Sequence, residues 1–114
     1  MAITVADSGT QVCTVTTEHS LSIQTAAGVY VLQLDLNVCA AGDAFEVRFK
    51  TNILAAGTER TAFLWGFRDD RPTDEEIVQS DPFVHDATAA NFEVTLKQSH
   101  GTGRSVIWKL LKVA

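Results

Sequence analysis

Over residues 44–53 the chain alternates without a break, with Phe45, Val47, Phe49, Thr51 and Ile53 on one parity and Glu46, Arg48, Lys50 and Asn52 on the other. Successive side chains of a strand point to opposite faces, so this pattern describes a half-buried β-strand with a charged outer row. On a helix the same apolar groups would scatter around the axis.

The period of two recurs along the chain. Tyr30, Leu32, Leu34 and Leu36 share one face of residues 29–36, opposite Val29, Val31, Gln33 and Asp35. Phe92, Val94 and Leu96 alternate with Glu93, Thr95 and Lys97, and Val106, Trp108 and Leu110 with Ile107, Lys109 and Leu111. Residues 61–68 are apolar on both faces, with Phe63, Trp65 and Phe67 opposite Ala62, Leu64 and Gly66, which predicts a central or interface strand. Residues 11–17 are rich in β-branched side chains, residues 21–25 form a short strand candidate, and Ile3 and Val5 begin another. Gly-containing turns separate these runs, notably Gly42-Asp43, Ala56-Gly57 and His100-Gly101-Thr102-Gly103. The nearest approach to a helix is residues 71–79, which Pro82 stops. The expected fold is all-β: an antiparallel β-sandwich or jelly roll of seven to eight strands, built as a single domain over residues 1–114.

Charge divides the chain unequally. Residues 69–86 hold seven acidic side chains against one basic, Arg71, while the other 96 residues hold seven acids and eight bases. The net charge of −5 therefore belongs to one segment, read as an acidic loop insertion at 69–90. An acidic chain is a poor partner for nucleic acid, whose binding rests on phosphate neutralisation. No apolar run approaches the ~20 residues that span a bilayer, and the first residues show neither a basic nor an apolar leader region, so synthesis in a cytoplasm is expected. Cys13 and Cys39 are too few for a disulfide scaffold or a thiolate zinc cluster. They read as small buried hydrophobes, with a Cys13–Cys39 bridge as the alternative.

The candidate chemistry is sparse. Asp69, Asp70, Asp74, Glu75 and Glu76 lack the alternating spacing of a calcium loop and read as a solvated excursion or a docking loop for a basic partner. Ile77, Val78, Phe83 and Val84 within that segment require packing, on the domain or on a neighbour. His19, His85 and His100 are dispersed as surface histidines are, and no serine sits in a nucleophile elbow. Gly101-Thr102-Gly103-Arg104 leads into a strand, so it reads as a turn and not a phosphate cradle. Arg48, Lys50, Arg60, Arg68 and Arg104 would make a basic strip only if their strands were neighbours. Trp65 and Trp108 suit either the core or an interface. Lys97 and Lys109 read as charges that protect sheet edges. No enzymatic constellation, metal site or cofactor motif is present, and the expectation is a non-enzymatic interaction protein.

Two stretches, residues 43–51 with 56–60 (Asp43-Ala44-Phe45-Glu46-Val47-Arg48-Phe49-Lys50-Thr51, then Ala56-Gly57-Thr58-Glu59-Arg60) and residues 96–104 ending in Trp108-Lys109-Leu110-Leu111, together with Gly28-Val29-Tyr30-Val31-Leu32, resemble small proteins encoded among the head and tail genes of tailed bacteriophages. The resemblance covers most of the chain and rests on turn-and-strand signatures. It implies a virion structural protein, such as a capsid decoration (cement) protein that binds the major capsid protein as a small homo-oligomer, a dimer or trimer. A neck, tail or fibre-base component, or a carbohydrate- or ligand-binding module, stands as the alternative. The resemblance transfers no site residues. The candidate partner-binding residues are Asp74, Glu75, Glu76, Phe83, Trp65 and Trp108.

Overall fold

The computed structural model describes residues 2–53, 57–68, 76–86 and 91–113. Every regular element among them is a strand: β1 (Ile3–Val12), β2 (Glu18–Gln24), β3 (Gly28–Asp35), β4 (Ala44–Thr51), β5 (Arg60–Arg68), β6 (Ile77–Gln79), β7 (Phe83–His85), β8 (Phe92–His100) and β9 (Ser105–Val113). They form two antiparallel sheets. Sheet A has the order β1-β9-β3-β6, with β7 also paired to β3, and sheet B has the order β2-β8-β4-β5.

The inward rows are those that the alternation marks. Tyr30, Leu32 and Leu34 of β3 and Val106, Trp108 and Leu110 of β9 line the inner side of sheet A. Phe45, Val47 and Phe49 of β4 and Phe92, Val94 and Leu96 of β8 line that of sheet B. All belong to one core cluster, so the sheets pack in a sandwich-like manner. Aromatic rings tie the layers together: Phe92 lies 4.6 Å from Tyr30 and 5.1 Å from Phe83, and Phe49 lies 5.0 Å from Phe83.

Several expectations need correction. The described residues contain nine strands, of which the short β6 and β7, both paired with β3, arise inside the expected loop insertion. Val78 faces inward opposite Leu34 and Phe83 opposite Tyr30, so burial of these side chains draws the segment onto β3. Between them Ser80 donates its N–H to Leu32 O at 2.8 Å and accepts the Leu32 N–H on Oγ at 2.9 Å, bridging the break before Pro82. Residues 3–5 and 11–12 form one strand, β1, with a register shift between Val5 and Asp7. Residues 13–17 are not strand: Thr16 takes φ 71° and donates its N–H to Gln98 O.

Strand β5 lies at the edge of sheet B, not at its centre, and Leu64 is exposed there. Lys97 and Lys109 sit on β8 and β9, each flanked by strands on both sides, so they protect no edge. His85 is not a surface histidine. It faces inward at 3% exposure, with its ring 5.0 Å from Phe92. Both cysteines are buried thiols, as the simpler of the two readings holds, and burial pushes the Cys13 thiol up.

Candidate functional site

The outward faces of the two sheets differ in chemistry. On sheet B, Glu18 of β2 meets Arg48 of β4 at 3.2 Å and also pairs with Lys50, and Arg48 in turn reaches Glu46 at 3.2 Å. Lys97 and Glu93 of β8 stand beside these residues in register with Glu46 and Lys50. Burial alone would raise the Glu18 carboxyl, but its hydrogen bonds to Lys50 and Thr95 and the nearby cations hold it below the usual range. The charges of this face are balanced, and between them Ile23 and Leu64 are exposed singly, at 57% and 58%, on the outer strands β2 and β5.

Sheet A turns a different face outward. Strand pairing assembles two cross-strand rows that the linear sequence keeps apart. Ile3 of β1, Val113 of β9, Val29 of β3 and Val84 of β7 lie side by side in one. Val5, Leu111 and Val31 lie side by side in the next. Ile3 is 68% exposed, Val5 55% and Val84 72%, and the other members of the rows are half-buried by their neighbours alone. A contiguous aliphatic patch of this kind marks an interaction surface. Beyond it the same face turns polar through Ser8, Lys109, Gln33 and Gln79, and then reaches Thr10, Ile107, Asp35 and Ile77. A groove of about 480 Å³ runs through this second part, bounded by Gln33, Asp35, Ile77, Ile107 and Lys109.

The expected partner-binding residues are not gathered into one site. Asp74 and Glu75 lie outside the described residues. Glu76 precedes β6, and its backbone carbonyl accepts the Leu36 N–H at 2.8 Å. Phe83 and Trp108 face inward instead of outward: Phe83 packs on Phe49 and Phe92, and Trp108 is 7% exposed, covered by Gly9 of β1. Trp65 is half-buried on the edge strand β5, its ring 4.3 Å from Phe67. The basic residues form no common strip. Arg48 and Lys50 are paired with glutamates, Arg60 and Arg68 stand at opposite ends of β5, and Arg104 is paired with Asp43. Among the described residues no group of three or more His, Cys, Asp or Glu side chains is placed to hold a metal ion.

A buried polar cluster, not foreseen from the sequence, organises one end of the molecule. Asp43, 1% exposed, accepts hydrogen bonds from Ala40 N, Thr102 N and Arg104 Nε. Burial works to raise its carboxyl, and these donors together with the Arg104 charge outweigh it and hold the carboxyl below the usual range. The fully buried Gln98 accepts the Arg104 N–H and donates to His100 O and Thr102 O. Its polar groups are satisfied internally, so it serves to hold loops in place.

Sequence alternation sets Val29 and Val31 opposite Tyr30 and Leu32, and Leu111 opposite Trp108 and Leu110. The signal for the patch is that one end of each of β1, β3 and β9 is apolar on this parity, but only the register aligns those ends. Compared with known proteins, the chain matches no family model, no curated protein and no solved structure.

Proposed function

We propose that this chain is a non-enzymatic structural protein of a bacteriophage virion, a capsid decoration protein that acts as a small homo-oligomer on the lattice of the major capsid protein. The observation that carries this reading is the aliphatic outward face of sheet A. A chain with net charge −5 that still exposes Ile3, Val5 and Val84 together has a surface that assembly would cover. The balanced charges on sheet B leave the other side compatible with solvent. In this reading the fold is a jelly roll. The order β1-β9-β3-β6 with β7 also on β3, against β2-β8-β4-β5, supports this reading when β6 and β7 are taken to share one of eight strand positions, and viral capsid domains use that architecture. The resemblance to small phage head-and-tail proteins supports the same conclusion.

The test is quantitative mass spectrometry of purified virions of the phage that encodes the chain. A decoration protein is present at a copy number comparable to that of the major capsid protein. A copy number of a single neck or tail ring would replace decoration by a neck or tail role, and absence from the particle would overturn the virion assignment.

A further inference from the structure

We propose that the aliphatic face of sheet A is covered by the same face of a second copy of this chain, in a dimer whose two-fold axis runs parallel to the strands and between the two sheets. The inference rests on that face being an assembly surface, and it names the occupant. An axis in this direction sets each cross-strand row over the same row of the second copy with its order reversed, so that β9 lies over β3. The row Ile3, Val113, Val29, Val84 then meets itself reversed, aliphatic against aliphatic at every position. In the next row Leu111 lies over Val31 of the second copy, twice by symmetry, and Val5 falls over the β6/β7 edge. An axis across the strands through the centre of the face would instead lay Val31 on Gln33 and Leu111 on Lys109.

Charge favours a copy of the chain over an unrelated apolar partner. Lys109 forms no ion pair among the described residues. The parallel axis places it over Gln33 of the second copy, one row from Asp35 of the second copy, and symmetry makes that contact twice. The face thus carries a counter-charge one row from where the two-fold sets Lys109, within reach of a long lysine side chain, and an isologous interface uses that contact twice. The dimensions also fit. Four strand positions spaced ~4.8 Å apart and a strand length of ~30 Å give roughly 600 Å² in projection, close to the ~800 Å² of accessible surface that each partner of a stable complex buries. Two such faces would pack aligned at ~10 Å, as stacked sheets do.

The experiment is sedimentation of the full chain over a range of concentrations. The wild-type chain is a dimer, and Leu111→Glu is a monomer with an unchanged far-ultraviolet circular dichroism spectrum. Lys109→Asp raises the dimer dissociation constant about tenfold or more, and adding Asp35→Lys returns it to near the wild-type value. Should Leu111→Glu fail to fold, the charge swap decides alone. A monomeric or trimeric wild type, a folded Leu111→Glu that remains dimeric, or a double swap without rescue overturns the proposal. A monomeric wild type whose binding to capsids is abolished by Leu111→Glu would leave the assembly surface standing and fail only the dimer. A monomer whose capsid binding is unaffected would sink both.

Discussion

Asp43 and Arg104 lie 61 positions apart in the chain, and a hydrogen bond of 2.8 Å joins the Arg104 Nε to the Asp43 carboxylate at the end of the sandwich. The aspartate precedes β4 and the arginine precedes β9, so this contact ties a strand of sheet B to a strand of sheet A. With Thr102 and Ala40 also donating to Asp43, one buried carboxylate organises the turn before β4 and the hairpin between β8 and β9.

Removing that carboxylate charge is therefore expected to be costly. Asp43→Asn destabilises the fold by about 2 kcal/mol in urea unfolding at pH 7, because buried donors lose an ionised acceptor. The pH dependence has a definite sign. The folded-state carboxyl is held below its ordinary value, so its stabilisation is present above the unfolded pKa, about 3.9, and is lost as pH falls through the lower folded value. The wild-type chain loses stability on acidification below about pH 4, and Asp43→Asn lacks that component. A variant with the wild-type acid profile would show that Asp43 does not link folding to pH.

Two turn glycines separate backbone strain from crowding. Gly42 has φ +89° with open space around a built Cβ, whereas Gly101 has φ +98° and its Cβ would lie 2.8 Å from Asp43 Cα. Gly42→Ala incurs only the left-handed penalty, about 1–2 kcal/mol. Gly101→Ala adds a backbone clash at the Asp43 cluster and lowers the melting temperature by clearly more. Equal thermal shifts would mean that the hairpin yields without disturbing Asp43.

The aromatic contact between the sheets should dominate the core. Phe92 is fully buried among Tyr30, Phe49, Phe83 and His85. Phe92→Ala costs about 3–5 kcal/mol in chemical unfolding. Leu64→Ala, at a position 58% exposed on the edge strand, changes stability by less than about 1 kcal/mol. Comparable losses at the two positions would contradict the assigned core.

Much of this organisation is legible from side-chain order. A strand's period of two is local, so the inward rows Tyr30-Leu32-Leu34, Phe45-Val47-Phe49 and Phe92-Val94-Leu96 can be read without knowing which strands are neighbours. The need of Ile77, Val78, Phe83 and Val84 for packing was legible too, and the fold meets it for Val78 and Phe83 while leaving Ile77 and Val84 exposed. What could not be read was where Val78 and Phe83 would find it, because β3 is more than 40 residues earlier in the chain. Position in the sheet was equally hidden. The two-sided apolar pattern of β5 suggested a central or interface strand, and its edge position overturns the first of these, while Lys109 suggested an edge and lies on a strand flanked on both sides.

The sequence by itself determined the element type, the alternation of faces and the residues that fill the core, because these depend on backbone geometry and on the order of neighbouring side chains. Only the tertiary structure decided that Ile3, Val29, Val84 and Val113 stand in one row, that Asp43 meets Arg104, and that Trp108 turns inward. Those outcomes depend on strand pairing and register between distant segments. Register is chosen by the free energy of burying both inner faces together, a property of the assembled sheets that no single segment contains.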